Sequence, residues 1–321
     1  DFTNASNYFK SAIEININHE NALYDLAYCL EQTGELKNSI HYYQKFIDED
    51  PYSEYAWFNL GNIYMKLDQF ENAVEAFEFS IAIDEEYSSA YINISEALIK
   101  LEKFDQAKKY LERSLSLDGP SPEIYSCLGN VNFYLEDYST SISFYQKSIK
   151  IDQMFKESYF GLGRSLSKLD KWFEAIHFFK KAYKIDNKNI EYVKSLAYAE
   201  FKVGNLVSSI DLYSKAVEMQ PDDYKLSLDF SLIYYESGDI DKAIDIIDQA
   251  IEESPGESLL YYRLVIYLMD AGRYKESINV LESALSLNFD NHDVLFDFVP
   301  NFESQSALIR VINQFKNSGN R

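Results

Sequence analysis

The sequence predicts an all-α solenoid of helix-turn-helix repeats, and three observations carry that expectation. The chain says nearly the same thing at a fixed step: residues 57–84 read WFNLGNIYMKLDQFENAVEAFEFSIAID and residues 125–152 read YSCLGNVNFYLEDYSTSISFYQKSIKID, two periods of 34 residues apart. Breakers are scarce, with 11 Gly and 6 Pro in 321 residues, which favours helix. Apolar side chains, 27 Tyr and 22 Phe among them, suffice for a buried core.

The elements follow in order. Residues 2–15 place Phe2, Ala5, Phe9 and Ala12 where later units carry their second helix. Residues 1–19 are therefore expected to be half a unit, a second helix without its first, with further repeats upstream in the natural protein. Eight full units follow, at 20–53, 54–87, 88–121, 122–155, 156–189, 190–223, 224–257 and 258–291. With Glu54 as position 1, Trp57, Leu60 and Tyr64 occupy positions 4, 7 and 11, one helical stripe. Phe70, Val74, Phe77 and Ile81 occupy positions 17, 21, 24 and 28, a second stripe. Small residues at positions 8 and 20, such as Gly61 and Ala73, let the two helices approach closely. Gly34, Gly204, Gly238 and Gly272 fall in the turn between stripes, where a left-handed residue ends a helix. Pro51, Pro221 and Pro255 sit at position 32, where they stop the second helix. Residues 292–321 are expected to form a cap: a first helix broken at Pro300, then a shorter helix over about Ser304–Phe315.

The pattern resembles the tetratricopeptide repeat family, whose Trp/Tyr-x-x-Leu-Gly-x-x-Tyr, Ala, Phe/Tyr, Ala, Pro signature it follows in unbroken register. Departures are local, such as Asn132 for the aromatic of position 11 and Val265 for the small residue of position 8. The Asn-, Ile- and Tyr-rich composition and the cap are similar to soluble tetratricopeptide proteins of Bacteroidota, a likeness that carries no activity. The resemblance implies a right-handed superhelix whose inner wall is made by the first helices, with positions 2, 5, 6, 9, 12 and 13 facing a groove.

Those positions supply the candidate site. Position 5 gives Tyr24, Phe58, Ile92, Phe160 and Tyr262; position 6 gives Asn59 and Asn93; position 9 gives Tyr28, Asn62, Asn130, Arg164 and Tyr198; position 12 gives Phe133, Phe201 and Tyr235. Positions 4, 7 and 11 already supply a core, so the aromatic residues of this second stripe read as anchors for a peptide or partner helix. The amides read as partners for an extended backbone, since each can donate and accept. Some family members hold acidic carboxy-terminal tails in a clamp of Lys, Asn, Asn, Lys and Arg. The matching positions here are Phe58, Asn62, Asn93, Glu123 and Cys127, so both amides are present and all three cations are missing. Binding of such a tail is not expected.

Composition excludes other classes. A net charge of -22 disfavours nucleic acid and anionic membrane; it reads either as a solvated, self-repelling outer face that keeps the array soluble or as attraction for a basic partner. Two distant cysteines, Cys29 and Cys127, rule out a disulfide framework and suit a reducing, cytoplasmic setting. His19, His41, His177 and His292 show no metal-ligand spacing. No phosphate loop, nucleophile elbow or His-Glu-x-x-His string occurs. No catalytic residue, metal or cofactor is expected. The reading is a non-catalytic scaffold for a protein or peptide segment, basic or aromatic-rich. The alternatives are a structural subunit of an assembly and the substrate-recruiting arm of an enzyme.

Overall fold

The computed structural model describes residues 1–15, 20–298 and 305–318. Among these, every regular element is helical. The chain divides into two compact units, residues 1–169 and 170–321. His19, the expected break at Pro300 and the expected helix start at Ser304 lie outside the described residues.

The first unit holds α1 (Phe2–Ile15), α2 (Glu20–Gln32), α3 (Leu36–Glu49), α4 (Glu54–Lys66), α5 (Phe70–Ile83), α6 (Ser88–Lys100), α7 (Phe104–Asp118), α8 (Pro122–Tyr134), α9 (Tyr138–Ile151) and α10 (Lys156–Lys168). The second holds α11 (Trp172–Ile185), α12 (Ile190–Lys202), α13 (Leu206–Met219), α14 (Tyr224–Glu236), α15 (Ile240–Glu253), α16 (Ser258–Asp270), α17 (Tyr274–Leu287), a short 3₁₀ turn (Phe289–Asp293), α18 (Val294–Phe298) and α19 (Ser306–Ser318). First helices start at residues 20, 54, 88, 122, 156, 190, 224 and 258, a constant step of 34. Each of Pro51, Pro221 and Pro255 lies two residues past the end of a second helix. New helices are capped by side chains: Ser53 accepts from the Ala56 amide, Ser121 from Ile124 and Asn189 from Tyr192.

The hairpins close as the small residues require. A Cβ added to Gly61 would stand 2.5 Å from the buried Phe77 ring, so only glycine admits that contact. Serines tie helix to helix where the sequence shows only small residues. At position 20, Ser39 donates to the Ala27 carbonyl (2.6 Å), Ser141 to Gly129 (2.8 Å) and Ser277 to Val265 (3.1 Å). At position 27, Ser80 donates to the Glu54 carbonyl and Ser148 to Pro122, which pins the start of a first helix to the end of its second. In the second unit, Leu308 and Ile312 of α19 bury against the α16–α17 cluster that also contains Leu295.

Position 15 has one conformation throughout. Gly34, Gly204, Gly238 and Gly272 have φ of 82°, 83°, 89° and 75°, and the other four repeats place Asp68, Glu102, Glu136 and Asp170 there at 55°, 57°, 61° and 56°. A side chain costs about 1–2 kcal/mol in this left-handed region, partly offset by the ~0.4–1 kcal/mol of unfolded-chain entropy that glycine adds. Glu102→Gly and Glu136→Gly should each raise stability by about 0.5–1 kcal/mol in urea unfolding. An unchanged or lower midpoint would show that the acidic residues carry no strain.

Candidate functional site

In the first unit the first helices α4, α6, α8 and α10 lie side by side, which brings the candidate residues onto one face. Tyr24 stands edge-on to Tyr43 and Phe46, and its hydroxyl accepts from Asn59 Nδ2 at 2.8 Å. Asn59 also donates to the Tyr43 hydroxyl at 3.2 Å. Burial pushes the Tyr24 phenol up, against the lowering effect of the Asn59 bond. Tyr28 is 42% exposed, with the Phe2 ring edge-on at 5.9 Å. Phe58 is half-buried between Phe77 and Tyr87. Asn93 Nδ2 donates to Asn62 Oδ1 at 2.7 Å, and Asn130 Oδ1 accepts from the Tyr145 hydroxyl at 2.6 Å. Ile92, Asn93 and Asn130 share the wall of a cavity of about 320 Å³. Further along, the Arg164 guanidinium lies 4.1 Å from the Phe133 ring centre and 5.9 Å from that of Phe160.

The second unit is described by itself. Tyr198 is 39% exposed, edge-on to Trp172, with Lys202 Nζ 5.2 Å from its ring centre. Phe201 packs half-buried on the cluster of Ala197, Tyr213 and Phe230. Tyr235 stacks on Tyr267 at 4.7 Å and donates to the Asp270 carboxylate. Tyr262 is 1% exposed and donates to the Asn288 carbonyl at 2.9 Å.

Three expectations need correction. Tyr262 is a core residue, because the chain after α17 folds back over α16 and covers it. Phe133 is also buried, with the Arg164 guanidinium of the next repeat over its ring at 4.1 Å from the centre. The amides are not simply waiting for a peptide backbone, since Asn59, Asn93 and Asn130 each bond a side chain of their own chain. What stays open is Tyr28 and Tyr198, both at position 9, and the cavity between repeats. Glu96, Ser126 and Glu157 of that cavity fall at positions 9, 5 and 2, which the register assigns to the groove wall, although none of them is in the candidate set.

Among the described residues, no group of three His, Cys, Asp or Glu could hold a metal ion, and no helix is long and apolar enough to cross a membrane. A separate cavity of about 790 Å³, lined by Lys180, Asn205 and Leu206 among others, contains none of the candidate residues.

Comparisons agree with this architecture. Models described as tetratricopeptide repeat match residues 20–53, 54–87, 88–120, 156–189, 200–266 and 259–291. A search of the curated proteins finds no match. Among solved structures, a chain of the APC/C hetero-tetramer Cut9-Hcn1 is similar at a TM-score of 0.64 and 18% identity, over 83% of this chain and 53% of that one. This chain thus spans about half the length of that relative. YrrB, a TPR protein with an unusual peptide-binding site, is similar at a TM-score of 0.41 and 20% identity, over 58% of this chain and 95% of that one. MamA protein is similar at 0.48 and 23%, over 56% and 98%. The fold and the repeats that match across most of the sequence lead to one statement: the chain belongs to the tetratricopeptide repeat family.

Proposed function

We propose that the chain is a non-catalytic scaffold that holds a protein or peptide segment against its first helices. One observation carries the reading. Tyr28 and Tyr198 occupy the same repeat position, and both keep about two-fifths of their surface in water although the core is complete without them. A phenol ring offers a large contact area with little conformational freedom to lose, which makes such residues the usual anchors of a binding face. The half-buried Phe58 of the first unit and Phe201 of the second add apolar area on first helices.

Peptides selected from a random displayed library against the full chain test this. Tyr28→Ser and Tyr198→Ser should weaken the selected peptides by about 2 kcal/mol for whichever residue they touch, with an unchanged melting temperature. If both variants bind as the parent does, and Phe173→Ser or Val207→Ser on the exposed second helices abolishes binding instead, the structural-subunit alternative replaces this reading.

A further inference from the structure

We propose that the groove between the second helices α11 and α13 docks an acidic amphipathic segment of a partner protein. This goes beyond the scaffold reading, because the groove contains none of the candidate residues of the first helices. Position 18 breaks the register here. Six repeats place Lys37, Glu71, Asp105, Ser139, Asp241 and Lys275 there, all of them exposed. The consecutive repeats that begin at 156 and 190 place Phe173 and Val207 there instead, 78% and 77% exposed. A lone exposed apolar side chain needs no explanation. A pair at one register position in adjacent repeats, with Val207 on the lip of a cavity, marks a contact surface.

The cavity measures about 790 Å³, and Tyr183, Leu196, Leu206, Val207 and Leu212 give it an apolar wall. Leu206 stays exposed at position 17, where Phe70 and Phe104 are half-buried. An equivalent groove of about 460 Å³ lies between α3 and α5 in the first unit. Its Gln44, Ile47, Leu60 and Glu75 hold the register positions of Lys180, Tyr183, Leu196 and Asp211. Such a groove therefore belongs to the array, and its lining is what differs from place to place.

Charge selects the occupant. Asp48 lines the first-unit groove at position 29, and Lys184 holds that position on α11. Phe79 lines it at position 26, and Lys215 holds that position on α13. Lys215 Nζ donates to the Tyr183 hydroxyl at 2.8 Å, so it reaches the wall. Lys180 lies 2.6 Å from the buried Glu200 carboxylate, which takes up its charge, and Asp211 is the one acid of the wall. At and just past the end of α11, Lys181, Lys184 and Lys188 are exposed, against a half-buried Asp186. The first-unit groove has only acids, Asp48 and Glu75, among its charged lining. An apolar trough with a basic rim, in a chain of net charge -22, fits a segment that brings apolar side chains for the wall and carboxylates for the rim. Nucleic acid has no apolar side chains for the wall, and a second copy of so acidic a chain is repelled. A membrane surface does not enter a trough between two helices.

The test pans a displayed library against the full chain, with segments of about 16 residues, roughly four helical turns, built from Leu, Ile, Phe, Ala, Ser, Glu and Lys. Soluble Phe173→Ser/Val207→Ser chain is the competitor, so only segments that need these two residues survive. Survivors should combine apolar residues at helical spacing with Glu in excess of Lys. Labelled with fluorescein, they should bind the parent at least about tenfold tighter than Val207→Asp and at least about threefold tighter than Lys184→Glu/Lys215→Glu. Tyr28→Ser and Tyr198→Ser should leave their affinity within about twofold of the parent's. The absence of survivors, survivors rich in Lys, or indifference to Lys184 and Lys215 overturns the proposal. So does sedimentation that finds a dimer in the parent and a monomer in Val207→Asp, which would seat a second copy in the groove. Flotation of the parent, but not of Val207→Asp, with phosphatidylcholine–phosphatidylserine vesicles would seat a membrane there and overturns it as well. The scaffold reading stands or falls separately, with the Tyr28 and Tyr198 variants on its own peptides.

Discussion

Replacing Tyr145 with alanine is expected to destabilise the amino-terminal unit by about 3–5 kcal/mol, the usual range for emptying a buried aromatic site. Tyr145 is completely buried on α9, and its ring is gripped from two sides. A Cβ on Gly129 of α8 would lie 2.6 Å from it, and one on Gly161 of α10 only 2.2 Å. Consecutive repeats therefore close on one ring, and two glycines exist to admit it. The hydroxyl is used as well, since it donates to Asn130 Oδ1. One turn away, Ser141 meets both the Gly129 carbonyl and the Ser165 hydroxyl, so the same two neighbours are tied a second time.

The two glycines make the prediction sharp. Gly161→Ala alone should destabilise by about 1–3 kcal/mol through overpacking. In the Tyr145→Ala background the same change should become neutral or favourable by up to about 1 kcal/mol, because alanine is the better helix former once the ring is gone. A double-mutant cycle in urea reads the coupling. The chain has two tryptophans, Trp57 in the first unit and Trp172 in the second, so a Trp172→Phe background reports unfolding of the first unit alone. Additive effects at Tyr145 and Gly161 would show that the contact does not hold these repeats together.

The same residues show how far the sequence speaks. A repeat exposes each position to the same surroundings, so a side chain that recurs every 34 residues advertises its environment. Leu60, Gly61 and Phe77 could be placed in the core from spacing alone, and the structure puts them there. The second partner of Tyr145 could not, because Gly161 falls at position 6, where other repeats carry Asn59, Asn93 or Arg263. Position 15 shows the same limit. Four glycines announce the left-handed turn, but Asp68, Glu102, Glu136 and Asp170 adopt it without announcing it. The candidate face was legible as a set of positions and less so as a set of free groups. Asn59 and Asn93 are occupied by residues 35 and 31 positions away, Tyr24 and Asn62. Periodicity shows that such groups are adjacent but not which way an amide turns. Tyr262 failed for a related reason: the last repeat is covered by chain that does not follow the register.

Glu200→Ala should destabilise the second unit by about 2–4 kcal/mol at neutral pH, since hydrogen bonds to a buried charge are worth about 1.5–3 kcal/mol each. Glu200 is 1% exposed near the end of α12. It accepts from Asn205 Nδ2 at 2.7 Å and lies 2.6 Å from Lys180 Nζ on α11. Asn205, just before α13, gives its amide to Glu200 and makes no side-chain cap for its own helix. One carboxylate thus joins the α12–α13 turn to α11. Lys180 is largely exposed, so its charge adds no more than about 1 kcal/mol, and Asn205 with the packing supplies the rest. Burial pushes the Glu200 carboxyl up, but bonds from Lys180, Asn205 and Ser208 with the charge of Lys180 outweigh it, and the group is held below the usual carboxylate range. A lowered folded value gives stability that is fully present above the unfolded value of about 4.3 and is lost as pH falls through the folded one. The gap between parent and Glu200→Ala should therefore be wide at neutral pH and narrow on acidification, with Trp172 as the reporter in a Trp57→Phe background. Lys180→Ala should cost less than Asn205→Ala, because the Lys180 ammonium is largely exposed, whereas the Asn205 amide gives the buried Glu200 carboxylate a 2.7 Å hydrogen bond that water does not readily replace. A gap that does not change with pH, or the reverse order of the two partner variants, would show that Glu200 is held by packing and not by its charge.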